Sequence, residues 1–600
     1  MTNMNIRKKT ILGLLGLSLC FGSCQPSSPQ TDGEAAQEVK ESQSSNKMKD
    51  PSVTVWELDD PDGLNPVTSQ GAAATYIQNN IFSRLLEFHP EDLKLVPQLA
   101  LKMPDVRELE EGPYAGGMSL KFEIRPEAKW DNGQAVTAYD YLFTVKAIKN
   151  PLVESGSRRP YYEFIDSIYI SPDNEREFTI FSKQRYFIAE ESAGDMHIMP
   201  EYVYDPEGLM KKVSLAELNQ MDYEAANKNA NLERFAQNFN SPKFSKETVV
   251  GSGPYRFVEW SNGQHIILER KEDWWANEAK NPMLVAYPTK IIHKVVNDPS
   301  TAITVARNEE IDVLHNIKPV KFKALKEDQE FQNLFELSSP PVFGYYYIGI
   351  NLRNPKLKDK KLRQALSHII NRQEIIDVLF EGLATETVGP INPQKEHYND
   401  QIKPFSYDPE RAKELLTEAG WTDSDNDGVL DKRINGKLEK LSLEFKYNQG
   451  NDIRKNIGLL LQGEARALGI EIKIKSADFP VFVKDIQNRE FELICSAWAQ
   501  GPNLDELKQA WHSSSDRNGG SNRIGFRNEE CDRIIDSIRI TLDPQKRKEL
   551  YFRAQAIIHE EQPYLFLCVP SSCFAIHKRF ADIETSPLRP GYRVSDFQLK

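Results

Sequence analysis

The chain has 600 residues, of which 40% are hydrophobic and 27% charged, and a formal net charge of −13. That length is too great for one hydrophobic core, so two or three lobes are expected. The acidic balance, without any basic stripe carrying interleaved aromatics, excludes nucleic acid as a partner.

Arg7-Lys8-Lys9 precedes an apolar run from Ile11 to Phe21, well short of the roughly 20 residues that span a bilayer. Phe21-Gly22-Ser23-Cys24 follows, and the whole stretch resembles a bacterial lipoprotein signal (residues 1–24) with Cys24 as the lipidated first mature residue. Phe21 departs from the aliphatic residue usual there. The three cations are the only charges before Cys24, so the rest of the chain carries −13 − 3 = −16. Residues 25–50 are rich in Ser, Gln, Glu, Lys and Pro. Such a segment cannot bury enough surface to offset its ordering entropy, and it reads as a disordered tether to a membrane anchor. Cys495, Cys531, Cys568 and Cys573 are too few for a disulfide framework. A Cys568–Cys573 bridge and buried free thiols both stay open.

The body alternates strand and helix signals, so the fold class is α/β. Thr54 to Leu58 reads as an early strand. Trp130-Asp131-Asn132-Gly133 is a hairpin turn by its Asn-Gly pair. Gly251-Ser252-Gly253 lacks the third glycine of a dinucleotide loop and reads as a tight turn needing glycine's backbone freedom. Leu362, Ala365, Leu366, Ile369 and Ile370 recur at helical spacing, and Asn371 to Glu374 caps a new helix over Ile375, Ile376 and Leu379. Asp408-Pro409 starts another helix with Gly420 past its end, and Asp543-Pro544 starts one reaching about His559. A helix over about 453–468 leads into the alternating strand Gly469 to Ile474, and Phe491 to Trp498 is a more continuous apolar strand. In such sheets ligands sit beyond the carboxyl ends of strands, so the stretch after Trp498 is a candidate site.

No Gly-x-Ser-x-Gly, His-Glu-x-x-His, Cys-x-x-Cys or Walker-type pattern occurs, and the ten histidines lack metal-ligand spacing. An enzyme such as a secreted hydrolase is therefore not expected, and no cofactor is required. Asp423, Asp425, Asp427 and Asp431 around Gly428 resemble the first half of a calcium loop. Counted from Asp423 the twelfth position is Ile434 rather than Glu, and the other reading is a solvated turn.

Several phrases together resemble the bacterial extracellular solute-binding proteins of family 5, the oligopeptide, dipeptide and nickel binders. They are Leu64-Asn65-Pro66, Ile81 to Leu86, Leu95 to Ala100, Phe122 to Arg125, Trp130 to Gly133, Thr137 to Asp140, Gly251 to Tyr255, Arg363 to Leu366 with Asn371-Arg372, Asp408 to Trp421, and Asn522 to Phe526. The likeness covers about residues 50–585. It implies a two-lobed periplasmic-binding-protein clamshell (class II, cluster C type) with a peripheral third domain. Domain I would comprise 50–92, 213–310 and 570–600, domain II 93–212, and domain III 311–569. Ligand would be enclosed by hinge closure between domains I and III. The implied role is an extracytoplasmic, lipid-anchored, monomeric binding protein that hands a peptide to the permease subunits of an ABC importer. An oligosaccharide or another non-peptide solute is the alternative cargo, and a surface adhesin the rival from another class.

The resemblance also implies ligand contacts. Gln70, Gly71 and Ala72 fall where a protein segment pairs with extended peptide. Tyr161 or Tyr162 falls near an aromatic contact. Trp498, Gln500 and Gly501 fall on the segment closing over the ligand. Oligopeptide binders commonly place an Asp three residues after that tryptophan, against the ligand's α-ammonium. Here the position is Gly501, and Asp505 is the acid nearest in sequence.

Overall fold

In a computed structural model, residues 50–600 are described except 156–157, 280, 518–519 and 582. Cys24 and the tether up to residue 49 lie outside the described residues. The expected α/β class is what the chain forms, around three main sheets.

The first sheet has seven strands in the order Phe335–Ser338, Phe574–His577, Val313–Leu314, Ser52–Glu57, Lys290–Val295, His265–Arg270 and Tyr255–Ser261. The early strand pairs in parallel with Lys290–Val295 and Val313–Leu314, and the other pairings are antiparallel. Val313–Leu314 and Phe335–Ser338 lie past residue 310, where the resemblance placed the end of this lobe. Their register against Phe574–His577 keeps them in this sheet. Arg579 crosses beneath, fully buried. It donates to both carboxylate oxygens of Asp312 (2.8 and 2.9 Å) and to the Ser52 carbonyl (2.6 Å). Asp312 in turn accepts the Thr54 N–H at 2.8 Å. One ion pair thus ties both chain halves into the sheet.

A second, antiparallel sheet runs Asp105–Glu108, Met118–Glu123, Glu177–Ser182, Ser167–Ile170. The third has five strands in the order Glu471–Ala477, Ser442–Asn448, Leu493–Ala499, Gly344–Ile350, Tyr564–Phe566. Its first three are mutually parallel, as the helix-then-strand pattern requires. Helix Asp452–Ala467 covers one face through Ile457, Gly458, Leu461 and Ala465, which recur at one-turn spacing. A β-carbon on Gly458 would stand 2.5 Å from the Phe445 ring, so glycine is what lets this helix approach the sheet. Helices Lys360–His368 and Pro409–Glu418 share that face, while Glu529–Ile540 and Pro544–Glu561 cover the other.

The helix starts follow their caps. Asp408 accepts from Arg411 N (2.9 Å), Asp543 from Lys546 N (2.9 Å) and Asn371 from Glu374 N (3.1 Å). Gly251 and Gly253 have no positive φ, contrary to the turn reading. They are needed because a β-carbon would meet the Ile81 carbonyl of helix Ala72–Ile81 at 2.3 and 2.7 Å. Cys495, Cys531, Cys568 and Cys573 are buried free thiols, so the Cys568–Cys573 bridge does not form. No described helix is long and apolar enough to cross a membrane. The chain passes between the seven- and five-stranded sheets at 339–343 and again at 571–573. The two crossings run together, with Pro341 bridged to Ser571 and Val342 N bonded to the Pro570 carbonyl at 3.1 Å.

Candidate functional site

A cavity of about 360 Å³, within the range of small-ligand sites, is lined by the seven-stranded sheet, by helices Ala72–Ile81 and Ala189–Gly194, and by the segment after strand Leu493–Ala499. The seven-stranded sheet contributes Val55 and Glu57 from the carboxyl end of its first strand. Helix Ala72–Ile81 contributes Tyr76, Asn79 and Asn80. The segment after helix Ala189–Gly194 contributes Asp195, and that helix Glu191. Gly501 and Pro502 enter just past strand Leu493–Ala499. The stretch after Trp498 therefore does reach a cavity, as the strand-end rule requires.

The floor is charged. Glu57, 3% exposed, accepts from His293 Nδ1 at 2.9 Å, and His315 Nε2 stands 3.4 Å from its other oxygen. Burial alone would raise this carboxyl, but His315 and His293 outweigh it and bring it down to about 2. Glu57 is thus an anion at any physiological pH. It fixes both rings with one nitrogen turned inward, and His293 Nε2 and His315 Nδ1 find no hydrogen-bond partner among the described residues. Both histidines line the cavity. Buried polar atoms without partners are rare in folded proteins, and these two belong to residues that line the cavity. Arg589 also lines this end, largely exposed.

Another part of the lining is acidic. Asp195 is held by Arg84 at 2.6 Å, and Arg84 also donates to Asn79 Oδ1 at 2.6 Å. Glu191 stands beside Gly501, with its Oε1 3.7 Å from where a β-carbon on Gly501 would be. Burial and the neighbouring Asp195 push its carboxyl up to about 8.

Of the contacts drawn from the resemblance, Gly501 lines this cavity and the others do not. Gln70 and Ala72 are exposed, and the N–H groups of Gln70 and Gly71 are taken by Asp62 (2.6 and 3.1 Å). Tyr162 is 7% exposed and packs in the core, while Tyr161 is partly buried against it. Trp498 is half-buried, its Nε1 3.4 Å from the Tyr564 hydroxyl. Gln500 donates to the Pro390 carbonyl and to Asp505 Oδ1, both at 2.7 Å. Asp505 accepts in addition from Lys395 at 2.8 Å and His397 at 2.9 Å. Burial works against its ionisation, yet Lys395 and His397 keep it below the ordinary carboxylate range. Asp505 is therefore committed to internal partners, and it is not the free acid that its sequence position suggested.

Asp423, Asp425 and Asp431 bring carboxylate oxygens within 4.8 Å of one another. Asp427 turns away to Lys440, whose Nζ is also 3.1 Å from Asp425. Asp431 accepts from Ser424 N and Oγ (3.0 and 2.7 Å), and Asp423 from Gly428 N (3.0 Å). The loop's own donors and one ammonium already serve these acids. Millimolar calcium or a chelator is expected to leave the thermal midpoint unchanged; a rise with calcium, reversed by chelator, would assign the loop to the ion.

The model of the bacterial extracellular solute-binding proteins, family 5 middle region, matches residues 94–521. The chain belongs to this family. Among curated relatives, the oligopeptide-binding protein AppA of Bacillus subtilis is 26% identical, covering 99% of both chains. The solved structure of AppA in complex with a nonapeptide superimposes with a TM-score of 0.74 at 25% identity, over 92% of this chain and 99% of that one. The Thermus thermophilus oligopeptide-binding protein complexed with a pentapeptide gives 0.75 at 23% identity, over 92% and 96%. The cavity is therefore the interior of a family 5 solute-binding protein. Glu57, His293, His315 and Glu191 were not singled out from the sequence. The one signal was an acid ending a largely buried strand with Val53, Val55 and Trp56, Val53-Thr54-Val55-Trp56-Glu57.

Proposed function

We propose that this chain is the substrate-binding component of an ABC importer, capturing an oligopeptide-like solute between its lobes and passing it intact to the membrane permease. The observation that carries the reading is a cavity lined by both acids (Glu57, Glu191, Asp195) and arginines (Arg84, Arg589), in a chain matching a peptide binder end to end. A zwitterionic solute brings charges to such a lining, whereas a neutral sugar leaves Glu191 without a charged partner. The protein works as a monomer, without catalysis or a required cofactor, held to the cell envelope through a lipid on Cys24. Its rigid sheets are joined by two short crossings near Pro341 and Ser571, which suits hinge closure around a solute. Calorimetry against alanine peptides of two to six residues and a matched set of oligosaccharides tests the reading. One-to-one heats with peptides are expected; binding of sugars alone would overturn it.

A further inference from the structure

We infer that Glu191 is the acid that receives a primary ammonium of the solute, in place of an acid at position 501. The inference rests on the peptide reading above. Glu191 faces the cavity from one lobe and Gly501 from another, and the space a side chain at 501 would enter is the space beside the Glu191 carboxylate.

The surroundings leave Glu191 in need of a cation. Its hydrogen-bond partner is the neutral amide of Asn503. Asp195 and Glu190 on its own segment are acids. Of the groups packed around it, Arg84 is taken by Asp195 and Asn79, and Glu87 accepts from Gln98. Arg158 is bonded to the Ser69 carbonyl. From the five-stranded lobe, Lys395 is paired with Asp505 and Glu506 with Arg539. Tyr161 stands by with its phenol raised to about 12, first through burial and then through these same acids. No ion pair engages Glu191 among the described residues; Arg84 and Lys395 are paired with other acids, and Arg158 is bonded to a carbonyl. A carboxylate on a cavity wall without a counter-ion is costly to ionise and is stabilised by an arriving ammonium.

The protonation follows. The empty site holds Glu191 protonated below about pH 8, and pairing with an ammonium converts it to the carboxylate. Binding then releases up to one proton, so affinity rises as pH rises, by at most about tenfold per unit. Above about pH 8 an α-ammonium begins to lose its own proton, so the optimum lies near there.

The experiment is calorimetry with the alanine peptides, in free and N-acetylated forms, plus an N-acetyl peptide carrying lysine first. Acetylation is expected to weaken binding about 30-fold or more. Glu191→Gln should do the same to the free peptide, abolish proton release, and make acetylation nearly neutral. Restored affinity in the acetyl-lysine peptide would identify a side-chain ammonium, and its absence the α-ammonium; both agree with the inference. Glu191→Gln with Gly501→Asp should recover free-peptide binding, since nothing lies closer than 3.7 Å to a β-carbon at 501. Peptide binding that ignores both acetylation and Glu191→Gln overturns this inference and leaves the peptide reading standing. Failure of every peptide to bind overturns both.

Discussion

Arg579→Met is expected to destabilise the fold by about 3–5 kcal/mol, the cost typical of removing one partner of a buried ion pair. Arg579 and Asp312 are both wholly buried. Without the guanidinium, the Asp312 carboxylate keeps the Thr54 N–H but loses two charge-assisted bonds. The Ser52 carbonyl loses its donor as well. The damage falls at the centre of the seven-stranded sheet, where strand Ser52–Glu57 meets Val313–Leu314. Urea denaturation followed by fluorescence measures it. The double variant Asp312→Leu with Arg579→Met should regain much of the loss, because no lone charge then stays buried. A single-variant loss under about 1 kcal/mol would show that the pair contributes little.

Asp505→Asn is expected to cost about 3 kcal/mol of stability, again as a broken buried pair. The Lys395 side chain is 2% exposed and would keep its ammonium without the carboxylate it is paired with. Gln500 and His397 would each lose an ionic acceptor. The loop from Gln500 to Leu507 carries Gly501 and Pro502 into the cavity, so solute affinity falls too, through disorder and not through a lost contact. The pH dependence has a definite sign. A carboxyl held below its ordinary value contributes stability that is present above about pH 4 and is lost as pH falls through the depressed value. In the wild type this component should disappear on acidification, and in Asp505→Asn it should be absent throughout. Unchanged stability with lost preference for free N-termini would instead make Asp505 the ammonium partner.

The parts of the fold that were legible in the sequence obey local rules. Asp408-Pro409 and Asp543-Pro544 start helices because a cap and a fixed φ act within one turn. Glu471 to Ala477 shows its buried face through alternation, with Ile472 inward. What escaped is long-range. Glu57 and His293 are 236 positions apart and meet only because their strands are parallel neighbours in one sheet. Glu191 sits among Glu190 and Ser192 like any acid in a first helical turn. Its character comes first from burial, which no spacing reports, and then from Asp195 four residues on. Asp505 misled for the same reason: proximity in sequence to Trp498 said nothing of Lys395 and His397. Gly251 and Gly253 were recognised as required, but the reason was an approaching helix end and not the backbone angle.

The cavity is expected to carry a peptide and leave it uncut. Native mass spectrometry of the protein, purified gently from its own cells, tests this most directly. One bound solute per chain is expected, released on denaturation as intact peptides with unmodified termini. Recovery of an oligosaccharide instead, or of peptide fragments generated when intact peptide is added back, would contradict it.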